Sequence, residues 1–184
     1  RSDLVTGVQT CALPILGGLL AGSSPALANN GETKPYWQDI DVTSVNREYP
    51  RTEFMSYSTE KEALTSKFEN SKNYLLLNGD WKFYFVDGYS QLPSNVTDKE
   101  VSTESWSDIK VPGNWEVQGF GTAIYTNHGY EFKARNPQPP QLPEETPVGV
   151  YRREFNLPSD WNNKDVYLNL AGAKSRVYVY INGK

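Results

Sequence analysis

The sequence VYVYINGK at positions 177–184 alternates aliphatic and tyrosine side chains until it reaches an Asn-Gly pair. This period of two predicts a β-strand, because successive strand residues point to opposite faces of a sheet. Asn182 and Gly183 both tolerate the positive φ angles of a type I′ turn, so we predict a tight hairpin there. Only Lys184 follows. We therefore expect the returning strand to lie outside this sequence, which would leave a long, apolar and unpaired edge that favours aggregation.

Several other short strands are predicted upstream of this one. Residues 149–157 and 166–170 alternate in the same way, and the alternation at Ile109 and Val111 ends at Pro112. Trp106 begins that buried segment. Residues 75–77 and 81–85 flank the turn Asn78-Gly79-Asp80, which predicts a further hairpin. Many short strands separated by turns indicate an all-β sandwich.

One short helix is predicted before these strands. Thr59 and Glu62 have the spacing of a capping box, in which each side chain accepts a hydrogen bond from the other's backbone N–H. The predicted helix spans about 60–68 and has Ala63, Leu64 and Phe68 on one side. Its charged residues are interpreted as a solvated face.

The segment KVPGNWEVQGFGTAIYTNHGYEF at 110–132 is the candidate functional region, because it is too irregular for one strand. Pro112 removes a backbone donor and Gly113 permits a turn. The β-branched and aromatic residues at 124–126 predict a short strand that ends at Asn127, whose amide can donate and accept hydrogen bonds. His128, the only histidine, has no second His or Cys nearby, so we interpret it as a solvent-facing loop residue.

Other candidate features of this half of the sequence have ordinary interpretations as well. Glu116 and Glu131 lie near the irregular segment, but nothing distinguishes them from surface carboxylates. Five of the 12 prolines fall between Pro137 and Pro147, which predicts an extended segment. That segment is either a linker or a rigid loop across a binding cleft.

Several separated motifs occur in an order that resembles the N-terminal sugar-binding domain of family 2 glycoside hydrolases, the β-galactosidase family. They are LNGDWKFYF, VPGNWE, IYTN, GVYRREFNLP and VYVYINGK, and the resemblance extends from about Tyr36 to Lys184. It implies a jelly-roll or galactose-binding-like β-sandwich, here truncated at its C-terminal strands. It also implies a parent enzyme that hydrolyses terminal β-D-galactosides with retention. The two catalytic glutamates would lie in a later (β/α)₈ barrel, so no catalytic residue is expected in this fragment, which we predict to be inactive alone.

The resemblance also implies a substrate-binding residue and partners. Asn127 matches the asparagine of the I-Y-T-N motif, which binds the galactose unit in that family; an asparagine that ends a strand by bonding its own backbone is the alternative. The parent family often uses a monovalent cation and Mg, but the nearby Asp would lie beyond Lys184, so no metal ligand is assigned. Expected partners are a galactoside or oligosaccharide, the remaining domains of the parent chain, and other copies in a homo-oligomer of the parent.

The sequence is also compatible with two other functions. A free-standing carbohydrate-binding module would use exposed Trp115 and Tyr125 as a stacking platform for a sugar face. A purely structural sandwich would hold domains together. Related β-glucuronidases and β-mannosidases use similar domains, so galactose specificity rests mainly on the VPGNWE and IYTN pair.

The first 28 residues have a different character from the rest. Val5–Ile15, VTGVQTCALPI, resembles a translated sequencing-library adapter. The following apolar residues and Ala26-Leu27-Ala28 resemble the rear half of a secretory signal peptide with its cleavage site, which predicts export to the periplasm or the extracellular space. A short buried helix is the alternative, which the glycines and Pro25 disfavour. We therefore predict three regions: an artefact and signal remnant at 1–28, an extended arm with the short helix at 29–74, and the incomplete sugar-binding domain at 75–184.

Composition excludes several other classes of function. Lys plus Arg total 18 and Asp plus Glu total 22, giving a net charge of −4, so no nucleic-acid surface is expected. No apolar run approaches the ~18 residues of a membrane span. Cys11 is the only cysteine, which excludes internal disulfides and thiolate metal clusters.

Overall fold

The computed structural model describes residues 2–10, 15–16, 35–49, 52, 54–123 and 138–184. Its strands form a five-stranded antiparallel sheet in the order β4-β3-β5-β1-β7 and a two-stranded sheet of β2 and β6. The prediction of an all-β fold is confirmed. The elements are β1 (Ser2–Thr10), β2 (Ile15–Leu16), α1 (Glu60–Ala63), β3 (Gly79–Val86), β4 (Ser107–Val111), β5 (Val148–Phe155), β6 (Tyr167–Leu168) and β7 (Ser175–Ile181), with 3-10 turns at Tyr36–Gln38, Phe68–Asn70, Tyr89–Gln91, Glu116–Gln118 and Ser159–Trp161.

The five-stranded sheet carries a hydrophobic core on each face at β5. The larger core contains Trp81, Phe83, Ile109 and Tyr151, and Leu168 of the two-stranded sheet packs against it. The smaller core, on the opposite face, contains Val96, Trp106 and Val150. Tyr151 and Val150 are neighbours in β5 and belong to different cores, as the alternation of a strand requires. The position of β5 inside the sheet explains why its apolar residues are continuous and not confined to one face.

The predicted Asn-Gly hairpin turn at the end of β7 is confirmed. Asn182 and Gly183 have φ angles of 52° and 78°. Ile181 donates to the Lys184 carbonyl at 2.8 Å, and Lys184 donates back to the Ile181 carbonyl at 3.2 Å. These bonds and two consecutive positive φ angles are the features of a type I′ turn.

The predicted hairpin of residues 75–77 with 81–85 is wrong. β3 begins at Gly79 and is flanked by β4 on one edge and β5 on the other, so neither edge is left for residues 75–77. Leu75 and Leu76 are exposed. The Leu77 carbonyl accepts hydrogen bonds from Trp81 Nε1 and Arg153 Nη1, both at 2.8 Å. Side chains therefore satisfy the acceptor that a strand partner would have used.

The capping box at the start of α1 is confirmed, although the helix is shorter than predicted. The Glu62 N–H donates to Thr59 Oγ1 at 3.2 Å, and the Thr59 N–H donates to Glu62 Oε2 at 3.2 Å. The helix ends at Ala63, and Leu64 is 78% exposed. The predicted apolar side of Ala63, Leu64 and Phe68 does not pack as one helical face, and a helix this short gains little without such packing.

The other strand boundaries agree with the pattern to within a few residues. β4 ends at Val111 before Pro112, and Trp106 is buried. β5 spans Val148–Phe155, against the predicted 149–157. The predicted strand at 166–170 is reduced to the two residues of β6.

The first part of the arm docks on the body through Trp37. Its ring centroid lies 6.2 Å from those of Tyr89 and Tyr178. Arg176 Nη1 donates to the Tyr36 carbonyl at 2.7 Å, which fixes the backbone beside this contact. Farther along the arm, Tyr49 and Phe54 are 91% and 70% exposed.

The adjacent arginines of β5 attach two upstream loops to the sheet. Arg152 is only 6% exposed and donates to the carbonyls of Asp98, at 2.9 Å, and Lys99. Arg153 donates to the carbonyls of Leu77 and Asn78 at 2.8 and 2.9 Å. The alternation of the strand sends the two guanidinium groups to opposite faces. This basic pair is therefore part of the packing.

We expect Arg152→Met to lower the free energy of unfolding by about 1–3 kcal/mol, since it removes charge-assisted hydrogen bonds to two carbonyls. The segment 97–101 should also become the first site of proteolytic cleavage. Urea unfolding followed by tryptophan emission measures the first effect, and limited proteolysis measures the second. Lys67→Met, at an exposed position, is the control and should leave both unchanged. Equal urea midpoints for the two variants would contradict this role of Arg152.

Candidate functional site

The segment 112–123 connects the end of β4 to the candidate residues, and we call it the aromatic loop. Its start is fixed by Gln118, whose side-chain amide pairs with the backbone of β4. The Lys110 N–H donates to Gln118 Oε1 at 2.8 Å, and Gln118 Nε2 donates to the Lys110 carbonyl at 3.0 Å. β4 is the outermost strand of the sheet on this side. Gln118 thus occupies the place of a further strand at this edge.

Gly113 makes this pairing possible because it has no side chain. A Cβ atom there would lie 2.7 Å from Gln118 Nε2 and 3.0 Å from the Lys110 carbonyl oxygen. The chain bends at Pro112 and Gly113, and glycine is favoured there because the Gln118 amide approaches so closely.

Trp115 is the main anchor of the aromatic loop. Its ring lies directly over Gly149 of β5, where a Cβ atom would meet Trp115 Cζ3 at 2.5 Å and Phe83 Cε2 at 2.6 Å. The Trp115 ring centroid is 6.1 Å from that of Phe83 and 5.6 Å from that of Phe85. The loop is therefore held on the larger core because the Trp115 ring packs on the backbone of Gly149, which has no side chain.

The far end of the loop is held by a second aromatic contact. The Phe120 ring packs edge-to-face on Phe83, with centroids 4.7 Å apart. Gly119 and Gly121 flank it with φ angles of 95° and 66°, a left-handed backbone that favours glycine. A Cβ atom at Gly121 would also lie 3.0 Å from Phe85 Cζ. The aromatic loop is thus fixed near its far end as well as at its start.

Tyr151 and Glu116 are the ionisable groups that interact where the aromatic loop meets the core. Burial, and secondarily the negative charge of Glu116, raises the pKa of Tyr151 to about 12. The phenol therefore stays protonated, and able to donate a hydrogen bond, to a higher pH than an ordinary tyrosine. Glycoside hydrolysis usually requires two carboxylates flanking the scissile bond. Glu116 is the carboxylate in the described part of the loop, and that it is not catalytic stays a prediction.

We expect Tyr151→Phe to reduce the loss of stability between about pH 10 and 12. The folded-state pKa lies above the unfolded value of about 10, so the unfolded state releases its proton first and stability falls as pH rises through this window. Burial also raises the pKa of Tyr178 and Tyr180, so the unsubstituted chain and the Tyr151→Phe variant should both lose some stability as pH rises. Urea midpoints at pH 8 and pH 11 measure the difference. An equal fall in urea midpoint between pH 8 and pH 11 for the two proteins would contradict this prediction.

The predicted site residues have different outcomes. Asn127, Tyr125, His128, Glu131 and the predicted strand at 124–126 all lie outside the described residues. The proposed exposed platform at Trp115 is wrong, because that ring is half-buried on Phe83 and Gly149. Over the described ranges, no group of three or more His, Cys, Asp or Glu side chains is arranged to hold a metal ion. No helix among those residues has the length and apolar character needed to cross a membrane.

The described part of the proline-rich segment lies against the body. Thr146 is fully buried, and its hydroxyl donates to the Pro143 carbonyl at 2.6 Å. Gly88 lies so close that a Cβ atom there would be 2.7 Å from the Glu144 carbonyl oxygen. The segment leads into β5 and is fixed at that end, so its described part is not a free linker; a position across a binding cleft stays a prediction.

An antiparallel all-β domain with aromatic-anchored loops is a class shared by many carbohydrate-active and cell-surface proteins. Comparison with family models identifies one family within this class. The model described as "Glycosyl hydrolases family 2, sugar binding domain" matches residues 75–184, and the chain belongs to this family.

Curated relatives agree with this family and bear the name β-galactosidase. The chain is 35% identical over 153 residues to the protein of Priestia megaterium, an alignment covering 82% of this chain and 15% of that protein. It is 31% identical over 147 residues to that of Vibrio cholerae, covering 80% and 14%. For Actinobacillus pleuropneumoniae the values are 35% over 147 residues, with the same coverage. The chain thus spans about one seventh of the length of these relatives.

Proposed function

We propose that this chain is the N-terminal sugar-binding region of an exported β-galactosidase that hydrolyses terminal β-D-galactosides with retention. The observation that supports this most is that the chain aligns over about four fifths of its length, at 35% and 31% identity, with proteins named β-galactosidase. The catalytic carboxylates belong to polypeptide beyond the region matched here. The 184-residue chain alone is inactive. The signal-like residues that precede 29 support export.

The role of the region is to present Asn127 to the galactose unit. The aromatic loop supports this role, because Trp115 and Phe120 hold the chain on the core only a few residues before the segment that contains Asn127. A galactose hydroxyl can donate and accept, and an asparagine amide can satisfy both. No residue of this chain is assigned as a ligand of the monovalent cation or Mg that the parent enzyme would use.

The first test is to obtain the parent by reading the source DNA outward from the codon for Lys184. The purified parent should hydrolyse a nitrophenyl β-galactoside at least 100-fold faster than the matching β-glucuronide or β-mannoside. Proton NMR should show the β-anomer of galactose released first, as retention requires. Faster cleavage of either competing glycoside would overturn the galactosidase assignment, and initial release of the α-anomer would overturn retention.

In this parent, we expect Asn127→Ala to lower kcat/KM for the galactoside by about 10- to 100-fold, the effect of losing hydrogen bonds worth about 1–3 kcal/mol in a buried site. The matched control is Asn156→Ala, at an exposed position after β5, which should leave kcat/KM unchanged. Steady-state kinetics on both variants measure the effect. Equal kcat/KM values would show that Asn127 only ends its strand.

A further inference from the structure

Gln118 holds the aromatic loop through three hydrogen bonds between its side chain and the main chain. Its amide accepts from the Lys110 N–H at 2.8 Å, donates to the Lys110 carbonyl at 3.0 Å and donates to the Asn114 carbonyl at 3.4 Å. Hydrogen bonds weaken steeply when they bend, so the pair with Lys110 fixes both the distance and the direction of the amide. The loop therefore has one favoured position along the edge of β4.

The aromatic anchors of the loop supply a different kind of restraint. The Trp115 ring packs on Gly149, and the Phe120 ring packs edge-to-face on Phe83. Burial of apolar surface is non-directional, so these rings hold the loop on the core without selecting one position along β4. Gln118 lies between the two rings in the sequence and supplies that selection.

A second residue of the loop is committed to the same contact. A Cβ atom at Gly113 would lie 2.7 Å from Gln118 Nε2, and the φ angle of Gly113 lies outside the left-handed region. Space for the amide, and not backbone strain, is therefore what disfavours a side chain there. A loop that only connects two strands tolerates many sequences and needs no such restraint. A segment that carries a binding group does need it, because such a group must be held within about 0.5 Å of its working position.

The candidate binding group follows shortly after this restraint. Asn127 lies nine residues after Gln118, and it is itself outside the described residues. A displacement of about 1 Å caused by a change far from the chemistry can lower a rate about 100-fold. A change in how the aromatic loop sits on β4 is a displacement of this kind.

We propose that Gln118 is a positioning residue for galactoside binding, which fixes the aromatic loop on β4 and thereby the placement of Asn127. This inference rests on the function proposed above for Asn127. Gln118 acts through that residue and makes no contact with the substrate. Its loss should therefore weaken substrate binding and leave the chemical step unchanged.

The test uses the full-length parent with Gln118→Glu, which preserves the shape of the side chain and replaces the Nε2 donor by an oxygen. At neutral pH that oxygen cannot donate to the Lys110 carbonyl, so the pairing with β4 is broken. We expect KM for the nitrophenyl β-galactoside to rise about 5- to 20-fold while kcat stays within about twofold, since only binding is weakened. Gln91→Ala, at an exposed position, is the control and should leave both constants unchanged.

Gly113→Ala disturbs the same contact from the other side, because its methyl group displaces the Gln118 amide. It should raise KM to a similar extent. Combined with Gln118→Glu it should add little, because both substitutions break one contact. Circular dichroism verifies the fold of each variant, and either folded variant is sufficient for the test. A folded Gly113→Ala parent with unchanged KM would contradict the role of the contact.

A double-mutant cycle with Asn127→Ala separates positioning from general stability. If Gln118 acts through Asn127, Gln118→Glu should no longer raise KM in the Asn127→Ala background. An equal rise in both backgrounds, an unchanged KM or a loss confined to kcat would overturn the inference and leave the binding role of Asn127 in place. If Asn127→Ala itself has no effect, the role proposed for Asn127 fails, and this inference fails with it.

Discussion

Phe83→Ala should lower the free energy of unfolding by about 3–5 kcal/mol, the range for removing a fully buried phenylalanine. The Phe83 side chain is 1% exposed and contacts rings from both ends of the aromatic loop. It also packs on Tyr151, with centroids 4.6 Å apart. The cavity cannot collapse easily, because its walls belong to two strands and a loop that are each fixed elsewhere.

Phe54→Ala is the matched control for this substitution, since Phe54 is 70% exposed on the arm. It should change the free energy of unfolding by less than about 0.5 kcal/mol. Urea titrations followed by circular dichroism give both values. Similar midpoints for the two variants would mean that the core around Phe83 does not contribute as its burial indicates.

Gly149→Ala should lower the free energy of unfolding by about 1–3 kcal/mol, the range typical of overpacking. The added methyl group would lie 2.5–2.6 Å from atoms of Trp115 and Phe83, so a ring must move. The φ angle of Gly149 lies outside the left-handed region, and space alone decides the outcome. The displaced ring is the anchor of the aromatic loop, so loss of stability should be accompanied by a shift in tryptophan emission.

Gly172→Ala provides the control, because no atom lies within 4 Å of a Cβ built at that position. It should be neutral or slightly stabilising, since alanine restricts the unfolded chain. Thermal unfolding and emission spectra on both variants decide the question. A Gly149 variant with an unchanged spectrum would show that Trp115 does not depend on the bare strand.

Features set by adjacent residues were predictable from the sequence. The Asn182–Gly183 turn and the Thr59–Glu62 capping box depend on φ preferences and hydrogen bonds within four residues, and both are present as predicted. The β-branched and aromatic residues of β5 and β7 likewise predicted strands, because these side chains suit an extended backbone whichever face is buried.

Features set by distant segments were not predictable in this way. The leucines at 75–77 looked like half of a hairpin, but the edges of β3 were taken by β4 and β5, which come later in the chain. Nothing local marks Gln118 as a substitute for a strand partner. The prediction of an exposed platform at Trp115 was wrong for the same reason, because the Trp115 ring packs on Gly149, which lies far along the chain. Gly149 is the first residue of the strand predicted at 149–157, and a glycine within a strand often indicates that another group packs closely against the backbone.

The two arginines of β5 also impose an order in time on the newborn chain. The carbonyls that they bind lie 53 to 76 residues earlier in the sequence. At about 5–20 residues per second, a ribosome needs roughly 3–15 seconds to make that length of chain. During this interval β3 and its aromatic residues lack their neighbour β5, so their apolar surface stays exposed to solvent. That surface can be covered by β5 only after Arg152 and Arg153 have been made.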